Sequence, residues 1–217
     1  NFGFTDALDI APDGTIWFSD ASRRHGPGSQ GMMDFWEARP TGRLLRYDPA
    51  SGQTRLAIDS LDFANGVAVG PGGAYVLVNE TMTGKIHRLR LTGPRAGEHD
   101  IFLEGLPGAP DNISYDGRGI FWVALFAPRT TLAERIRGLS PFLRKVAYRI
   151  QDLTGSSPVE RYGMVIGVDT AGVVRYNLQD PTGRFFATTS ALRIGDALFV
   201  GSLQRNAVAR AALPSPQ

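Results

Sequence analysis

Side chains that could bind a metal recur at matching places in the chain, each where a short apolar strand pattern begins. They are Asp6, Asn65 and Asp111, and Asn112 follows Asp111 directly. Carboxylate and carboxamide oxygens are the hard ligands that Ca²⁺ prefers, and a carboxylate can also act as a general base or a nucleophile. We therefore interpret Asp6, Asn65, Asp111 and Asn112 as candidate calcium ligands, with Asp111 and Asp6 as candidate catalytic groups.

The elements that must position these side chains form an internal repeat. Each copy has a polar residue, a short strand, a turn rich in glycine and aspartate, and an aromatic-rich strand. The copies lie at 6–20, 65–80 and 111–123, and a weaker fourth copy ends at 195–201. Repeats of four short antiparallel strands over about 40–45 residues are typical of β-propeller blades. The sequence therefore predicts an all-β propeller with about four blades.

The innermost strand of each blade lines the central channel of a propeller, so the polar residue that opens each copy is expected to face one axis. A single aspartate or asparagine at a strand end often does no more than form a turn. Three such residues in register favour a shared oxygen-rich site instead. Zinc is not favoured, because the chain has no cysteine and only three histidines.

The stretch 127–162 interrupts the third predicted blade and has a helical period. Its apolar residues are spaced alternately by four and three, and Ser140-Pro141 is expected to start a second helix. This apolar stripe consists of Leu132, Ile136, Leu139, Leu143, Val146, Ile150 and Leu153. Residues 129–153 contain six basic residues against two acidic ones, a local charge of +4. We favour a lid whose stripe packs on the propeller; the alternative is an interfacial element that contacts anionic lipid.

Composition excludes several classes of protein. The absence of cysteine excludes disulfides, thiolate metal sites and a cysteine nucleophile, and a net charge of +2 is too small to indicate nucleic-acid binding. No apolar run approaches the ~18 residues of a membrane-spanning helix. A Ser-His-Asp triad is poorly supported, because His87 is expected to face solvent and only His25 is expected to reach the channel. His25 lies in a long loop, 21–41, whose apolar content predicts a folded structure.

Five segments resemble the strictosidine synthase-like branch of the calcium-dependent phosphotriesterase and gluconolactonase superfamily. They are Phe4-Thr5-Asp6, Gly42-Arg43-Leu44-Leu45-Arg46-Tyr47-Asp48, Phe63-Ala64-Asn65-Gly66-Val67, Val76-Leu77-Val78-Asn79-Glu80-Thr81 and Pro107-Gly108-Ala109-Pro110-Asp111-Asn112-Ile113. The resemblance extends over essentially all of residues 1–217. It implies a six-bladed propeller, of which this single domain is expected to be the C-terminal two-thirds. Two N-terminal blades and a metal-binding glutamate are then expected outside this chain.

The resemblance implies a calcium-dependent hydrolase of lactones, aryl esters or organophosphate-like esters. Ca²⁺ would polarise the substrate oxygen, and Asp111 or Asp6 would act as base or nucleophile. The alternative is a non-catalytic binding or membrane-associated propeller with a structural metal. Strictosidine synthase itself uses a glutamate at a position that falls near Thr189 here. No carboxylate occurs between Asp180 and Asp196, which argues against that reaction.

The partners expected from this interpretation are few. A small-molecule ester or lactone is expected as substrate, and no nucleic acid. Peripheral membrane contact through residues 129–153 is the alternative to a lid. An incomplete ring of blades is also expected to be closed by N-terminal blades or by self-association, because unpaired sheet edges drive association.

Overall fold

The computed structural model describes residues 1–27, 33–154 and 160–213. Parts of the long loop 21–41 and of the insert 127–162 lie outside these ranges, as do residues 214–217. The described strands form four antiparallel sheets, and in each sheet every strand pairs with its neighbour in sequence. This architecture confirms the prediction of an all-β propeller with about four blades.

The first blade carries a short helix in addition to its four strands. Its strands are β1 (Thr5–Ile10), β2 (Ile16–Asp20), β3 (Gly42–Asp48) and β4 (Gln53–Leu61). Helix α1 (Met33–Glu37) lies in the connection between β2 and β3. Ser22 donates a hydrogen bond of 2.9 Å from Oγ to Oδ1 of Asp34, and both residues are buried. The described part of the loop 21–41 is therefore folded, as its apolar content predicts.

The second blade is the most deeply buried of the four. Its strands are β5 (Ala64–Val69), β6 (Tyr75–Glu80), β7 (Lys85–Arg90) and β8 (His99–Leu103). Every residue of β5 and β6 is buried, because both faces of this sheet are covered by a neighbouring blade. The short 3₁₀ turn Pro71–Gly73 joins these two strands.

The third and fourth blades follow the same order of strands. The third contains β9 (Gly108–Tyr115), β10 (Ile120–Pro128), β11 (Gly163–Asp169) and β12 (Val174–Asp180). The fourth contains β13 (Thr188–Ile194), β14 (Ala197–Ser202) and β15 (Ala209–Ala212). The insert separates β10 from β11, as predicted. It forms helices α2 (Thr131–Gly138) and α3 (Pro141–Thr154), which are divided at Ser140-Pro141 as expected.

Three apolar cores hold the blades together, and each core lies between two adjacent sheets. Leu44 and Val78 belong to the core between the first and second blades, and Leu77 and Phe121 to the core between the second and third. Trp122 and Leu198 belong to the core between the third and fourth. The fold is thus an arc of blades packed face to face, with β1, β5, β9 and β13 innermost.

The outer flanks of this arc expose apolar side chains. Leu8 and Ile10 of β1 are 62% and 57% exposed, and Leu192 and Ile194 of β13 are 50% and 58% exposed. Among the described residues, the first and fourth blades do not pack on each other as neighbouring blades do. Inner-strand residues elsewhere in the arc are covered, so these two flanks are the surfaces on which further blades or a second copy would pack.

We expect the chain to self-associate through these flanks when nothing else covers them. Paired changes Leu8→Lys and Leu192→Lys should lower the apparent mass in sedimentation velocity, because a charge cannot be buried in an apolar contact. Paired Ile101→Lys and Val174→Lys changes, at exposed apolar residues on the outer strands of the second and third blades, are the matched control. A monomeric wild-type chain at micromolar concentration would contradict the prediction.

Helices α2 and α3 do not pack as predicted. Neither helix has a buried residue, and Leu132, Phe142 and Leu153 are 68%, 73% and 86% exposed. The expectation that the apolar stripe is buried against the propeller is therefore wrong. The helices are held instead by polar contacts from Arg137 and Arg144 to the first blade and its loop. In the described part of the chain, no helix is both long and apolar enough to span a membrane.

Candidate functional site

All four inner strands carry the same irregularity near their start, and the predicted site residues lie in it. In β1, β5 and β9 the pairing with the next strand gains one extra residue, at Asp6-Ala7, Asn65-Gly66 and Asp111-Asn112. In β13 the extra residue is Thr189. Such a β-bulge re-aims side chains and is common next to functional sites. Here it directs one polar position from each blade towards the channel.

The structure brings the four predicted residues together. Burial, and then the negative charge of Asp6, raise the pKa of the Asp111 carboxyl, while the adjacent side-chain amide of Asn65 lowers it. Nδ2 of Asn112 lies 3.1 Å from Oδ1 of Asp111, to which it donates. The same amide donates to the backbone oxygen of Thr189 at 2.9 Å. Their roles as metal ligands and catalytic groups stay predictions.

Asn79 is a fifth member of the site that the sequence interpretation did not include. Its Nδ2 donates to the backbone oxygen of Asp111 at 2.6 Å, and the residue is completely buried. Asn79 follows the apolar run Val76-Leu77-Val78, so its amide is expected to be buried and to need hydrogen-bond partners. That expectation could have indicated Asn79 as a site residue. Thr189 contributes through its backbone, which no side-chain pattern indicates.

Two amide oxygens at this site lack the partners that buried oxygens normally have. Oδ1 of Asn65 and Oδ1 of Asn79 are buried, and neither accepts a hydrogen bond from any described residue. Each unsatisfied buried acceptor costs about 1–3 kcal/mol, so such groups usually indicate an absent partner. The Asn65 oxygen and the carboxyl groups of Asp6 and Asp111 are all oxygen donors, the kind that suits a hard divalent cation. No three His, Cys, Asp or Glu side chains of the described ranges form a metal-binding group, so any site here needs the amides.

Close approach of two inner strands brings Asn65 to Asp111. Gly66 packs directly on β9: a Cβ atom at this position would lie 2.5 Å from the backbone nitrogen of Ile113 and 2.6 Å from the backbone oxygen of Asp111. Only glycine allows this contact, because backbone atoms cannot move aside as a flexible side chain does. Hydrogen bonds add to it, since Oγ1 of Thr81 donates to the oxygen of Pro110 at 2.7 Å.

Burial dominates the electrostatics of the two carboxyl groups. Desolvation raises the pKa of Asp6 from its ordinary value of 3.8 to about 6. Desolvation, and then the charge of Asp6, raise the pKa of Asp111 well above 3.8. Asp6 retains exposed surface because β1 has a neighbouring inner strand, β5, on one side only, whereas Asp111 lies on β9, between β5 and β13. The charge of Asp6 therefore opposes ionisation of Asp111, and a bound cation would offset that repulsion.

The raised pKa values predict how stability depends on pH in the absence of divalent metal. Below about pH 4 both carboxyls are protonated in the folded and the unfolded chain, and they contribute nothing. Above that pH the unfolded chain releases these protons while the folded chain keeps them. The free energy of unfolding should therefore fall as pH rises through about 6, the folded pKa of Asp6. Urea unfolding with a chelator measures this slope.

The Asp6→Asn variant is the control for this pH dependence. Asparagine keeps the shape of the side chain but has no proton to lose, so the variant should show a shallower fall in stability between about pH 4 and 7. Calcium should restore the wild-type stability at neutral pH and should have less effect on the variant. Equal slopes for the two proteins would mean that Asp6 does not have the raised pKa.

The histidines take positions that the alternation pattern did not predict. His87 is buried, with Nε2 3.1 Å from Oε2 of Glu80 and Nδ1 2.9 Å from Nε2 of His99. The expectation that His87 faces solvent is wrong, because neighbouring blades cover both faces of β7. His25 lies beside helix α1, with Nε2 3.4 Å from Oε1 of Glu37. Neither histidine has a contact with Asp6 or Asp111 in the described structure.

The helical insert and the site lie at the same end of the blades. The bulges lie near the start of β1, β5 and β9, and the insert follows β10, whose end pairs with the start of β9. Arg129 contacts the turn after β6, through a hydrogen bond of 3.3 Å from Nη1 to the oxygen of Thr83. The insert is thus placed to affect access to the channel, although its apolar stripe is not buried against it.

The fold is a β-propeller and the sequence is similar to strictosidine synthase-like proteins, which confirms the resemblance stated from the sequence. Residues 6–94 match the model of the strictosidine synthase family. Among solved structures, the fold matches a calcium-binding regucalcin from Agrobacterium tumefaciens with a TM-score of 0.59 and 17% identity. That match covers 93% of this chain and 54% of the regucalcin chain. A gluconolactonase from Xanthomonas campestris matches with a TM-score of 0.58 and 17% identity, over 91% of this chain and 54% of the other.

Two curated relatives are similar over nearly the whole chain. The protein STRICTOSIDINE SYNTHASE-LIKE 4 of Arabidopsis thaliana is 32% identical over 216 residues, which is 96% of this chain and 55% of that protein. The adipocyte plasma membrane-associated protein of Mus musculus is 31% identical over 218 residues, 98% of this chain and 52% of that protein. The chain thus spans about half the length of these relatives.

Proposed function

We propose that this chain carries the metal site of a calcium-dependent hydrolase that acts on lactones, aryl esters or phosphoryl esters. The observation that supports this proposal is the convergence of bulged inner strands on one point of the channel. Asp6 and Asp111 interact electrostatically there, and Asn65, whose buried Oδ1 accepts no hydrogen bond from a described residue, lies beside Asp111. An oxygen-only set of this kind suits Ca²⁺ and does not suit zinc.

The residues that would hold the cation are Asp6, Asn65, Asp111 and Asn112. Bound calcium would supply Lewis-acid polarisation of the carbonyl or phosphoryl oxygen of the substrate. Two proteins with this fold, a calcium-binding regucalcin and a gluconolactonase, agree with that chemistry. Asn79 would support the set from behind, because its amide fixes the backbone of Asp111.

Asp111 or Asp6, the two carboxyl groups of the site, would accept or donate the proton that the reaction transfers. A carboxyl group whose pKa is raised towards neutrality holds or accepts a proton more effectively at physiological pH than an ordinary aspartate does. Asn112 donates to Oδ1 of Asp111 and so helps to orient the carboxyl group. The backbone oxygen at Thr189 holds that amide in place. The alkaloid-forming reaction of strictosidine synthase is not proposed, because threonine stands where that reaction needs a carboxylate.

The experiment that tests this function is a calcium titration followed by a substrate panel. Calorimetry with Ca²⁺, and with Mg²⁺ for comparison, measures binding by the metal-free chain. Hydrolysis of aryl acetates, γ- and δ-lactones and an aryl phosphotriester is then followed with calcium and with a chelator. Calcium-dependent turnover of any of these supports the proposal. Calcium binding without turnover supports the non-catalytic alternative, in which the metal is structural.

A further inference from the structure

Helix α3 turns its polar side towards the propeller. Its four least exposed residues are Arg144, Ala147, Tyr148 and Gln151, which follow the helical period and lie on one side. At 100° per residue, the apolar stripe through Leu143, Val146, Ile150 and Leu153 is centred about 130° away from that side. A helix on a globular surface normally buries its apolar face, so the orientation here is the reverse of the usual one.

Arginine side chains hold the helices in this orientation. Arg144 donates to the backbone oxygens of Trp36 and Glu37 at 2.8 and 2.7 Å, at the end of α1. The same guanidinium donates to the oxygen of Leu139 at 2.6 Å, after the end of α2. Arg137 forms an ion pair with the buried Asp62 and donates to the oxygen of Phe35 at 2.9 Å. These contacts fix the polar side inwards and leave Leu143, Val146 and Leu153 exposed, while Ile150 borders a groove against Phe35 and Trp36.

Basic side chains adjoin the outward apolar face. Lys145 and Arg149 lie on α3 between the apolar stripe and the inward side, and both are exposed. They also line a groove of about 370 Å³ between α1 and α3, together with Arg24, Arg39, Trp36 and Tyr148. Glu37 is the one acidic residue among the described residues that line this groove, and Arg24 pairs with it at 2.9 Å. An exposed apolar face beside a cationic groove is complementary to an anionic lipid surface.

We propose that α2 and α3 form a membrane-docking element that inserts its apolar stripe among the lipids of an anionic bilayer. The stripe enters the boundary between headgroups and acyl chains, and Lys145, Arg149 and the groove contact the phosphate groups. A partner protein would not require so basic a border, and a second copy of this chain would bring the same positive charge to the contact. This inference does not depend on the hydrolase proposal, because none of its residues belongs to the channel site.

Vesicle co-sedimentation tests the docking element. The chain should bind vesicles of phosphatidylcholine mixed with phosphatidylserine and should bind pure phosphatidylcholine much more weakly. Leu143→Glu should reduce binding by about tenfold or more, since burial of one leucine side chain accounts for that factor. Lys145→Gln and Arg149→Gln should each reduce it about fivefold, because each cation near an anionic surface contributes about that factor. Raising the salt concentration should weaken binding of the wild type.

Matched variants separate membrane docking from self-association and from loss of the fold. Leu56→Glu, at a leucine that is 53% exposed on β4 against 46% for Leu143, should leave vesicle binding unchanged. Circular dichroism and thermal unfolding of Leu143→Glu should match the wild type, because the side chain is already exposed. Vesicle binding that survives Leu143→Glu overturns the proposal. So does an absence of vesicle binding together with self-association that Leu143→Glu abolishes, which would assign the stripe to a second copy.

Discussion

Replacing Asp111 with asparagine is expected to lower calcium-dependent ester hydrolysis by about 10²–10⁴-fold in kcat/KM. The change keeps the size and shape of the side chain but removes the group that would carry both negative charge and the transferred proton. Calcium affinity should fall as well, because the donor set then keeps a single carboxylate, that of Asp6. Calorimetry measures the affinity, and initial rates on the most reactive ester of the panel measure kcat/KM.

The stability of the Asp111→Asn variant separates this effect from simple unfolding. Desolvation and the charge of Asp6 raise the pKa of Asp111, so ionisation of its carboxyl destabilises the metal-free protein at neutral pH. The variant should therefore be at least as resistant to urea as the wild type in the presence of a chelator. Asp196→Asn, at an exposed aspartate in the turn before β14, is the control and should leave affinity, rate and stability unchanged. Full calcium affinity in Asp111→Asn would place the metal elsewhere.

Comparison of Asp6→Asn with Asp111→Asn shows which carboxyl group serves as metal ligand and which as base. If Asp6 serves only as a ligand, its variant should lose calcium affinity but recover its rate at saturating calcium. If Asp111 serves as the base, its variant should remain slow at any calcium concentration. Loss of rate in both variants at saturating calcium would mean that the two carboxyls act as a pair, as groups that share a proton do.

The blades could be predicted from sequence because each strand pair is local and its turn chemistry is explicit. The copies at 6–20 and 65–80 contain Pro-Asp-Gly and Pro-Gly-Gly turns between apolar runs, and both form hairpins. The position of the site residues followed from the same register. The bulges that aim Asp6, Asn65 and Asp111 could not be predicted, because an extra residue in one strand becomes visible only when its partner strand is aligned.

Two predictions failed because the partner of a surface lay far away in sequence. The stripe of α3 has a clear helical period, but periodicity does not say which side faces the protein. Arg144 determines which side of α3 faces the protein, because it donates hydrogen bonds to backbone oxygens of α1, more than a hundred residues earlier. The prediction for His87 failed for a related reason: alternation along β7 indicates one buried and one exposed face. In a propeller both faces of a middle blade are covered, so a polar residue on either face is buried.

A second large effect is expected at the contact that brings β5 against β9. Gly66→Ala should lower the free energy of unfolding by about 3 kcal/mol, the upper range for overpacking a closely packed site. The added Cβ would lie 2.5–2.6 Å from backbone atoms of Asp111, Asn112 and Ile113, so the strands themselves must separate. Separation moves Asn65 away from Asp111, and calcium affinity should fall together with stability. Urea unfolding and calorimetry measure the two effects.

Gly138→Ala is the matched control, because it makes the same chemical change where a Cβ atom would have no neighbour within 4 Å. Its site lies at the end of α2, where alanine is the better helix former by about 1 kcal/mol at most, so stability should stay level or rise slightly. Calcium affinity should not change, since α2 does not touch the channel residues. If Gly66→Ala were as stable as Gly138→Ala, the inner strands would not approach as closely as the site requires. If Gly66→Ala loses stability but keeps the calcium affinity of the wild type, Asn65 is not a calcium ligand.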